Sequence, residues 1–293
     1  MDISDPESLV PKWPKPKELQ PFPTILSITY LGHSSKVTSL SVHASGQWLL
    51  SGSRDGTVKV WEVKSGRCIE TWTFDTTIHR VAWCPKGMSS LFAAATGKTL
   101  FLVPAKVNKT FSDTIEMLEA TKSTDDDENS PASWSVTEVK SSLHNTVAVT
   151  ISHAFEVTDV SWHNAGDYFC SVCPKGNTKA VLVHQLSKGS SQNPFRKNRG
   201  IVTRALFHPS KPFFFVATQQ AVRIYNLAKQ SLAKKLVSGS GVITSMSIHP
   251  SGDHVILGGE DRRVCWYDLD LSTKPYKALR YHEKAIRSVC FHP

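Results

Sequence analysis

The stretch that decides the fold is VTSLSVHASGQWLLSGSRDGTVKVW, residues 37–61. Its opening, a short apolar strand followed by a polar turn, returns five more times along the chain. The returns begin at Ile78, Val157, Val202, Ile243 and Ile286. Four of the five spacings are 41 to 45 residues and the remaining one is 79. Because a period of about 40–45 residues is typical of a four-stranded propeller blade, the sequence predicts an all-β propeller with one long insertion.

Turns that contain glycine divide the first unit into four strand-like runs, the pattern of an antiparallel meander. The same division predicts five full blades at about 37–73, 78–153, 157–200, 202–237 and 243–281. Residues 286–293 then read as the first strand of a sixth blade.

Two segments do not follow the repeat. Residues 1–24 contain six prolines and little apolar periodicity, which predicts an extended leader before a propeller domain at 25–293. The insertion in the second blade covers about 104–145 and is acidic at its centre. Its many charged and hydroxyl residues predict a disordered segment.

The composition excludes several classes of protein. No apolar run approaches the roughly 18 residues of a membrane span, and the N-terminus lacks a secretory apolar region. We therefore expect no membrane association. Cys170 and Cys173 have a suggestive spacing, but a zinc site needs a second ligand pair at similar spacing and none follows. No metal or cofactor is expected.

The formal net charge of +9 is unevenly distributed. Between Phe111 and Pro131 there are seven acidic residues and one lysine, so the rest of the chain carries a larger positive charge. A basic body suits a polyanionic partner such as RNA, since Lys and Arg gain affinity by releasing phosphate counterions. Nuclear proteins are also often basic without contacting nucleic acid, and both alternatives stay open.

Particular residues of the first unit resemble the WD-repeat signature. These are Gly32-His33, then SGSRDG at 51–56, then Val60-Trp61. The resemblance implies a structural tetrad of hydrogen-bonding side chains that tie the strands of a blade together: His33, Ser51, Asp55 and Trp61. His153 and His282 stand four residues before a repeat start, as His33 does, and are expected in the equivalent loops. Asp261 matches Asp55, whereas the Ser and Trp positions hold other residues in the later units.

A narrower resemblance covers almost the whole chain. The leader DPESLVPKWPKPKELQPFPT, the stretch from YLGHSSKV to VWEV, the stretch from SQNPFRKNRG to RIYNL and the ending RYHEKAIRSVCFHP are similar to the eukaryotic block of proliferation (Bop) family. The family implies a non-catalytic role in large ribosomal subunit biogenesis and pre-rRNA maturation, in the nucleolus and nucleoplasm. It also implies a pescadillo-type partner, a WD-repeat partner with a ubiquitin-like domain, and the pre-60S particle.

The family pattern is longer than this chain at both ends. Family members have a long region before the leader and a seven-bladed propeller, so the chain is expected to be a fragment or an incomplete gene model. Because a propeller protects its sheet edges by closing the ring, we expect this chain alone to be poorly soluble or open-ringed.

The motifs of common enzymes are missing from the sequence, which holds neither a G-x-S-x-G elbow nor an H-E-x-x-H zinc motif. Five histidines recur at the turn after a first strand, which predicts a structural role for them. The leading hypothesis is therefore a non-catalytic scaffold without a small-molecule substrate. The alternative is a generic WD-repeat adaptor, such as a substrate receptor in ubiquitin transfer.

One loop is a candidate for RNA contact. Phe195, Arg196, Lys197 and Arg199 place three cations beside an aromatic ring, and such a group can hold phosphate and stack a base. The alternative is an ordinary solvated loop.

Overall fold

A computed structural model describes residues 25–85, 90–107, 130–143, 145–195, 200–237 and 241–291. These residues form antiparallel strands grouped into five blades, and the all-β WD-repeat propeller is confirmed. The leader at 1–24 lies outside the described residues. In the part of the chain that is described, no helical segment has the length and apolar character needed to cross a membrane.

The strand bounds follow the repeat closely. Blade 1 contains β1 (Val37–Val42), β2 (Trp48–Ser53), β3 (Thr57–Glu62) and β4 (Cys68–Thr73). Blade 2 contains β5 (Ile78–Trp83), β6 (Leu91–Thr96), β7 (Thr99–Pro104), β8 (Ser133–Ser141) and β9 (Thr146–Ser152). Blade 3 contains β10 (Asp159–Trp162), β11 (Tyr168–Val172), β12 (Val181–Gln185) and β13 (Ser190–Gln192), with a short 3₁₀ helix (Pro174–Lys179). Blade 4 contains β14 (Val202–Phe207), β15 (Phe213–Thr218), β16 (Ala221–Asn226) and β17 (Ser231–Val237). Blade 5 contains β18 (Ile243–Ile248), β19 (His254–Gly259), β20 (Val264–Asp268) and β21 (Lys277–Leu279).

Among the described residues, the apolar core consists of four clusters, one between each pair of neighbouring blades. The first and fourth residues of a repeat unit point into the cluster shared with the preceding blade. Ile78 and Val81 of β5 are buried against Leu50 and Val58 of blade 1 in this way. A blade therefore depends on its neighbour for its apolar core, since one sheet alone cannot cover its own face.

Two glycines make room for this packing. A Cβ atom on Gly52 of β2 would lie 2.6 Å from Cγ2 of Ile78, and one on Gly258 of β19 would lie 2.7 Å from Cγ2 of Ile286. Such distances are far shorter than carbon–carbon contact. The glycines therefore allow the first residue of the next unit to pack directly on the second strand.

Hydroxyl groups on a first strand bond to the backbone of the next one. The backbone N–H of Val81 donates to Ser39 Oγ at 3.2 Å, and that of Trp83 donates to Ser41 Oγ at 3.0 Å. Ser245 and Ser247 of β18 accept from Val289 and Phe291 in the same way, at 3.1 and 3.4 Å. Residues 286–291 thus lie on blade 5 as β5 lies on blade 1, although they do not form a regular strand.

The first strand of blade 1 lacks such a neighbour among the described residues. Val37, Leu40 and Val42 of β1 are 49, 58 and 62% exposed. Their equivalents in β5, Ile78, Val81 and Trp83, are at most 5% exposed. No described residue therefore covers the outer apolar side of β1.

The insertion in blade 2 differs from the expectation of disorder over 104–145. Its last part forms β8, which pairs with β9 from Ser133↔Ser152 to Val139↔Thr146. At its far end β8 also pairs with β4 of blade 1, at Trp72↔Ser141. Val139 is buried in the cluster between blades 1 and 2, and this burial accounts for the added strand. The acidic centre at 108–129 lies outside the described residues.

The open side of β1 leads to a paired prediction. Val81→Ala should lower the free energy of unfolding by about 2 kcal/mol, because it removes buried methyl groups and leaves a cavity. Leu40→Ala, at the equivalent but exposed position, should change it by less than about 0.5 kcal/mol. Urea unfolding of both variants tests this, and equal losses would mean that β1 is covered in solution.

Candidate functional site

The structure brings His33, Ser51, Asp55 and Trp61 together in blade 1. Ser51 Oγ lies 2.7 Å from His33 Nε2 and accepts a hydrogen bond from Trp61 Nε1, also at 2.7 Å. The other ring nitrogen of His33 lies 3.1 Å from Asp55 Oδ2. The chain of contacts therefore connects the loop before β1, the second strand, the β2–β3 turn and the third strand.

Asp55 also organises its own turn. Its Oδ1 accepts from the backbone N–H and the hydroxyl of Thr57, at 2.9 and 2.6 Å, and its Oδ2 accepts from the N–H of Ser34 at 2.9 Å. Burial on its own would raise the pKa of this carboxyl. The hydrogen bonds from Thr57, His33 and Ser34 outweigh burial and hold the pKa of Asp55 well below its usual range. Asp55 is therefore a carboxylate at neutral pH.

Blade 3 contains a different version of this chain. His153 Nε2 lies 2.9 Å from Ser171 Oγ, which lies 2.8 Å from His184 Nε2, so His184 occupies the place of the third-strand Trp. His184 Nδ1 then contacts Ser191 Oγ at 2.8 Å, and this oxygen accepts from Trp134 Nε1 of β8 at 2.8 Å. The network thus fastens the insertion strand of blade 2 to blade 3.

Both histidines of this network are neutral. Burial lowers the pKa of His153 to about 4, despite opposing hydrogen bonds to the backbone at Ile151 and Lys98. Burial also lowers the pKa of His184 well below its usual value, and the nearby His153 adds to the effect. A protonated ring here would place a charge in an apolar interior.

The remaining predicted tetrad positions behave differently. His282 is exposed, at the beginning of the sixth unit. Asp261 forms an ion pair with Arg263 at 3.1 Å, while Leu257 and Tyr267 are buried in the cluster between blades 4 and 5. Apolar packing therefore replaces the hydrogen-bond chain in blade 5.

The recurring histidines hold the turns that follow the first strands. The backbone N–H two residues later donates to Nδ1 of His43, His163, His208 and His249, at 3.1 to 3.2 Å. His292 lies outside the described residues. One ring nitrogen of each described histidine accepts a hydrogen bond within the turn. These histidines therefore recur for a structural reason.

Cys170 and Cys173 lie in the core of blade 3. Burial raises the pKa of both thiols to about 12, so neither is a thiolate near neutral pH.

Of the four residues of the candidate RNA loop, the structure describes only Phe195. Phe195 is 8% exposed and its ring lies 4.3 Å from that of Tyr225, inside the cluster between blades 3 and 4. A ring buried in this way has no free face for a base, so the expected stacking role does not fit its placement. Arg196, Lys197 and Arg199 lie outside the described residues.

Sequence reasoning missed a polar group at the propeller axis. The third residues of the first four repeat units line an axial cavity of about 1060 Å³: Ser39, Arg80, Asp159 and Arg204. Arg80 Nε and Arg204 Nε lie 3.1 and 3.5 Å from the two carboxylate oxygens of Asp159. Arg204 also donates to Ser245 Oγ of β18 at 3.1 Å. We call Arg80, Asp159, Arg204 and Ser245 the axial belt; their shared third position in the repeat was the signal that could have identified them.

The blades and the hydrogen-bond network of blade 1 define the protein as a WD-repeat β-propeller protein. The sequence profile described as "WD domain, G-beta repeat" matches residues 25–62 and 231–268. The solved structure of the RRP9 WD40 repeats superposes with a TM-score of 0.62, covering 86% of this chain and 65% of that one at 14% identity. This likeness supports the fold alone.

Proteins named as ribosome biogenesis proteins match nearly the whole of this chain. The chain is 50% identical over its full length to the Chlamydomonas reinhardtii "Ribosome biogenesis protein BOP1 homolog". It is 44% identical over 98% of its length to the Xenopus laevis "Ribosome biogenesis protein bop1-A". The chain spans 36 and 40% of the length of these two relatives. Over its whole length the chain is thus similar to proteins named as ribosome biogenesis proteins, as the sequence resemblance predicted.

Removing the central hydroxyl of the tetrad tests its contribution to stability. Ser51→Ala leaves the buried Nε1 of Trp61 without its acceptor, and an unpaired buried donor costs about 1–3 kcal/mol. We expect the free energy of unfolding to fall by about 2 kcal/mol. Ser65→Ala, at an exposed turn hydroxyl, is the control and should have little effect. Similar losses in the two variants would contradict the tetrad's role.

The neutral histidines of blade 3 predict acid sensitivity. Between pH 6.5 and about 4, His153 is protonated in the unfolded chain but stays neutral in the folded protein. The free energy of unfolding should therefore fall as the pH decreases through this window. His153 alone should contribute about 3 kcal/mol to this loss.

Urea midpoints measured across that pH range provide the test. His153→Gln should flatten the pH dependence, whereas His282→Gln, at an exposed ring, should leave it unchanged. A wild-type slope that persists in His153→Gln would show that this histidine does not cause the acid sensitivity.

Proposed function

We propose that this chain is the propeller part of a non-catalytic scaffold that acts in large ribosomal subunit biogenesis and pre-rRNA maturation. The observation that carries the proposal is identity of 44–50% over 98–100% of the chain with proteins named as ribosome biogenesis proteins. On this proposal the protein works in the nucleolus and nucleoplasm and associates with the pre-60S particle.

A scaffold role suits the chemistry of the blades. The described tetrad members and turn histidines each contact another group of the fold, as do the strand hydroxyls that join neighbouring blades. These side chains stabilise the propeller and leave its outer surfaces for partners. We propose a pescadillo-type protein and a WD-repeat protein with a ubiquitin-like domain as those partners.

Direct contact with pre-rRNA forms part of the proposal. Arg196, Lys197 and Arg199 supply three cations within a chain of net charge +9. Binding through them would be electrostatic and would not require the ring of Phe195, because phosphate contacts alone provide affinity that depends on salt.

Affinity purification of the full-length protein tests the proposal. We expect pescadillo-type and WD-repeat partners together with large-subunit precursor RNA. A variant with Arg196, Lys197 and Arg199 changed to Glu should retain the protein partners and recover less RNA, with a weaker dependence on salt. Arg280→Glu, at an exposed arginine of blade 5, is the control for a single reversal of charge at another site.

Two results would overturn parts of the proposal. Recovery of ubiquitin ligase subunits without pre-ribosomal material would favour the generic WD-repeat adaptor. Unchanged RNA recovery and salt dependence in the triple variant would remove RNA contact at this loop while leaving the scaffold role intact.

A further inference from the structure

Two cations face each other on the outer half of blade 4. Arg223 of β16 and Lys235 of β17 are directly opposite each other in the antiparallel register. Side chains at such positions lie about 5 Å apart at Cβ, and like charges placed there are destabilising. Arg223 is half-buried and Lys235 is exposed. The pair therefore costs stability, and its presence calls for a reason other than the packing of the blade.

The equivalent pair in blade 1 shows an arrangement without this cost. Lys59 of β3 is opposite Thr71 of β4, in the same register and just before the same irregularity of strand pairing. The ammonium group of Lys59 donates a hydrogen bond to the hydroxyl of Thr71 at 3.1 Å. A cation meets a neutral acceptor there, whereas blade 4 has a second cation in the acceptor's place.

The Arg223–Lys235 pair lines a groove of about 730 Å³ at one end of blade 4. None of the described residues that line the groove is acidic. Asp261 lies beside the groove at Gly241, but its carboxylate is paired with Arg263 at 3.1 Å. The groove therefore has an excess of positive charge.

The groove lies against the loop that we propose for RNA contact. Phe195, at one end of that loop, packs on Tyr225, which is two residues from Arg223 along β16. Gly200, at the other end, lines the groove itself. Since the sequence between these two ends carries three more cations, positive charge accumulates on one side of blade 4.

A single strand of RNA is the polyanion that fits this surface best. It carries one charge per nucleotide on its backbone, and cations that contact its phosphates gain affinity by releasing counterions. An acidic peptide would have to order a flexible side chain for every charge it offers, which costs conformational entropy. Gln219 and Gln220 also line the groove, and their amides supply donors and acceptors of the kind that bind base edges.

We propose that Arg223 and Lys235 form a phosphate-binding site for single-stranded RNA beside the cationic loop at 196–199. The inference rests on the proposed contact with pre-rRNA, to which it adds a groove and two residues. It can fail by itself, because RNA could bind through the loop alone.

Titration of fluorescein-labelled oligouridylate with the full-length protein tests the proposal by fluorescence anisotropy. The double variant Arg223→Gln/Lys235→Gln should raise the Kd about tenfold at about 0.1 M salt, because two phosphate contacts are lost. The slope of log K against log salt concentration should become shallower by about 1.4, since each phosphate contact with a single strand contributes about 0.7. Lys59→Gln/Lys64→Gln removes two positive charges from blade 1. It is the matched control and should leave both values unchanged.

A reversal of charge separates binding from folding. Lys235→Glu places a carboxylate opposite Arg223, and opposite charges in this register are stabilising. The urea midpoint should therefore rise, while the affinity for oligouridylate falls by about tenfold or more. If Lys235 served only the structure of the blade, the midpoint would fall and the affinity would stay the same.

Three results would overturn the proposal. The first is a folded Arg223→Gln/Lys235→Gln variant that binds oligouridylate as the wild type does; if the variant with Glu at 196, 197 and 199 still loses affinity, RNA contact at the loop stands and only this site falls. The second is a wild-type protein that does not bind oligouridylate, which would remove RNA contact as a whole. The third is labelled polyglutamate, and not oligouridylate, responding to the substitutions, because the groove would then receive an acidic protein.

Discussion

The structure depends on one kind of contact, in which the first strand of a blade packs on the second strand of the blade before it. Ile78 against Gly52 and Ile286 against Gly258 are two copies of this contact. A single four-stranded sheet has an apolar face that it cannot cover, so a blade becomes stable only when a neighbour buries that face. Cooperativity between blades follows, because loss of one contact exposes the faces of two sheets.

This contact explains why the fold could be predicted from the sequence. The first and fourth residues of each repeat unit must be apolar and the turn after the first strand must be polar, and these demands recur with every blade. The tetrad in blade 1 could likewise be predicted, because His33, Ser51, Asp55 and Trp61 all contribute to one network and all match the family signature.

The parts that could not be predicted lie where tertiary contacts outweigh local composition. The sequence SWSVTEVKS of β8 is polar, and its position beside an acidic segment favoured disorder. Pairing with β9, burial of Val139 and the bond from Trp134 to Ser191 stabilise it as a strand. Phe195 shows the reverse case, since a cationic neighbourhood suggested an exposed ring and packing on Tyr225 buries it.

The axial belt could not be predicted from the sequence for a related reason. A repeat is recognised by the positions that stay the same, whereas the third position of the repeat unit changes from Ser39 to Arg80, Asp159, Arg204 and Ser245. That position faces the axis and is not needed for contact between apolar faces, so its chemistry can vary without loss of the fold. We therefore expect the functional residues of a propeller at repeat positions where the residue type differs from blade to blade. In this chain the third positions that line the axial cavity include two arginines, Arg80 and Arg204, and one acid, Asp159.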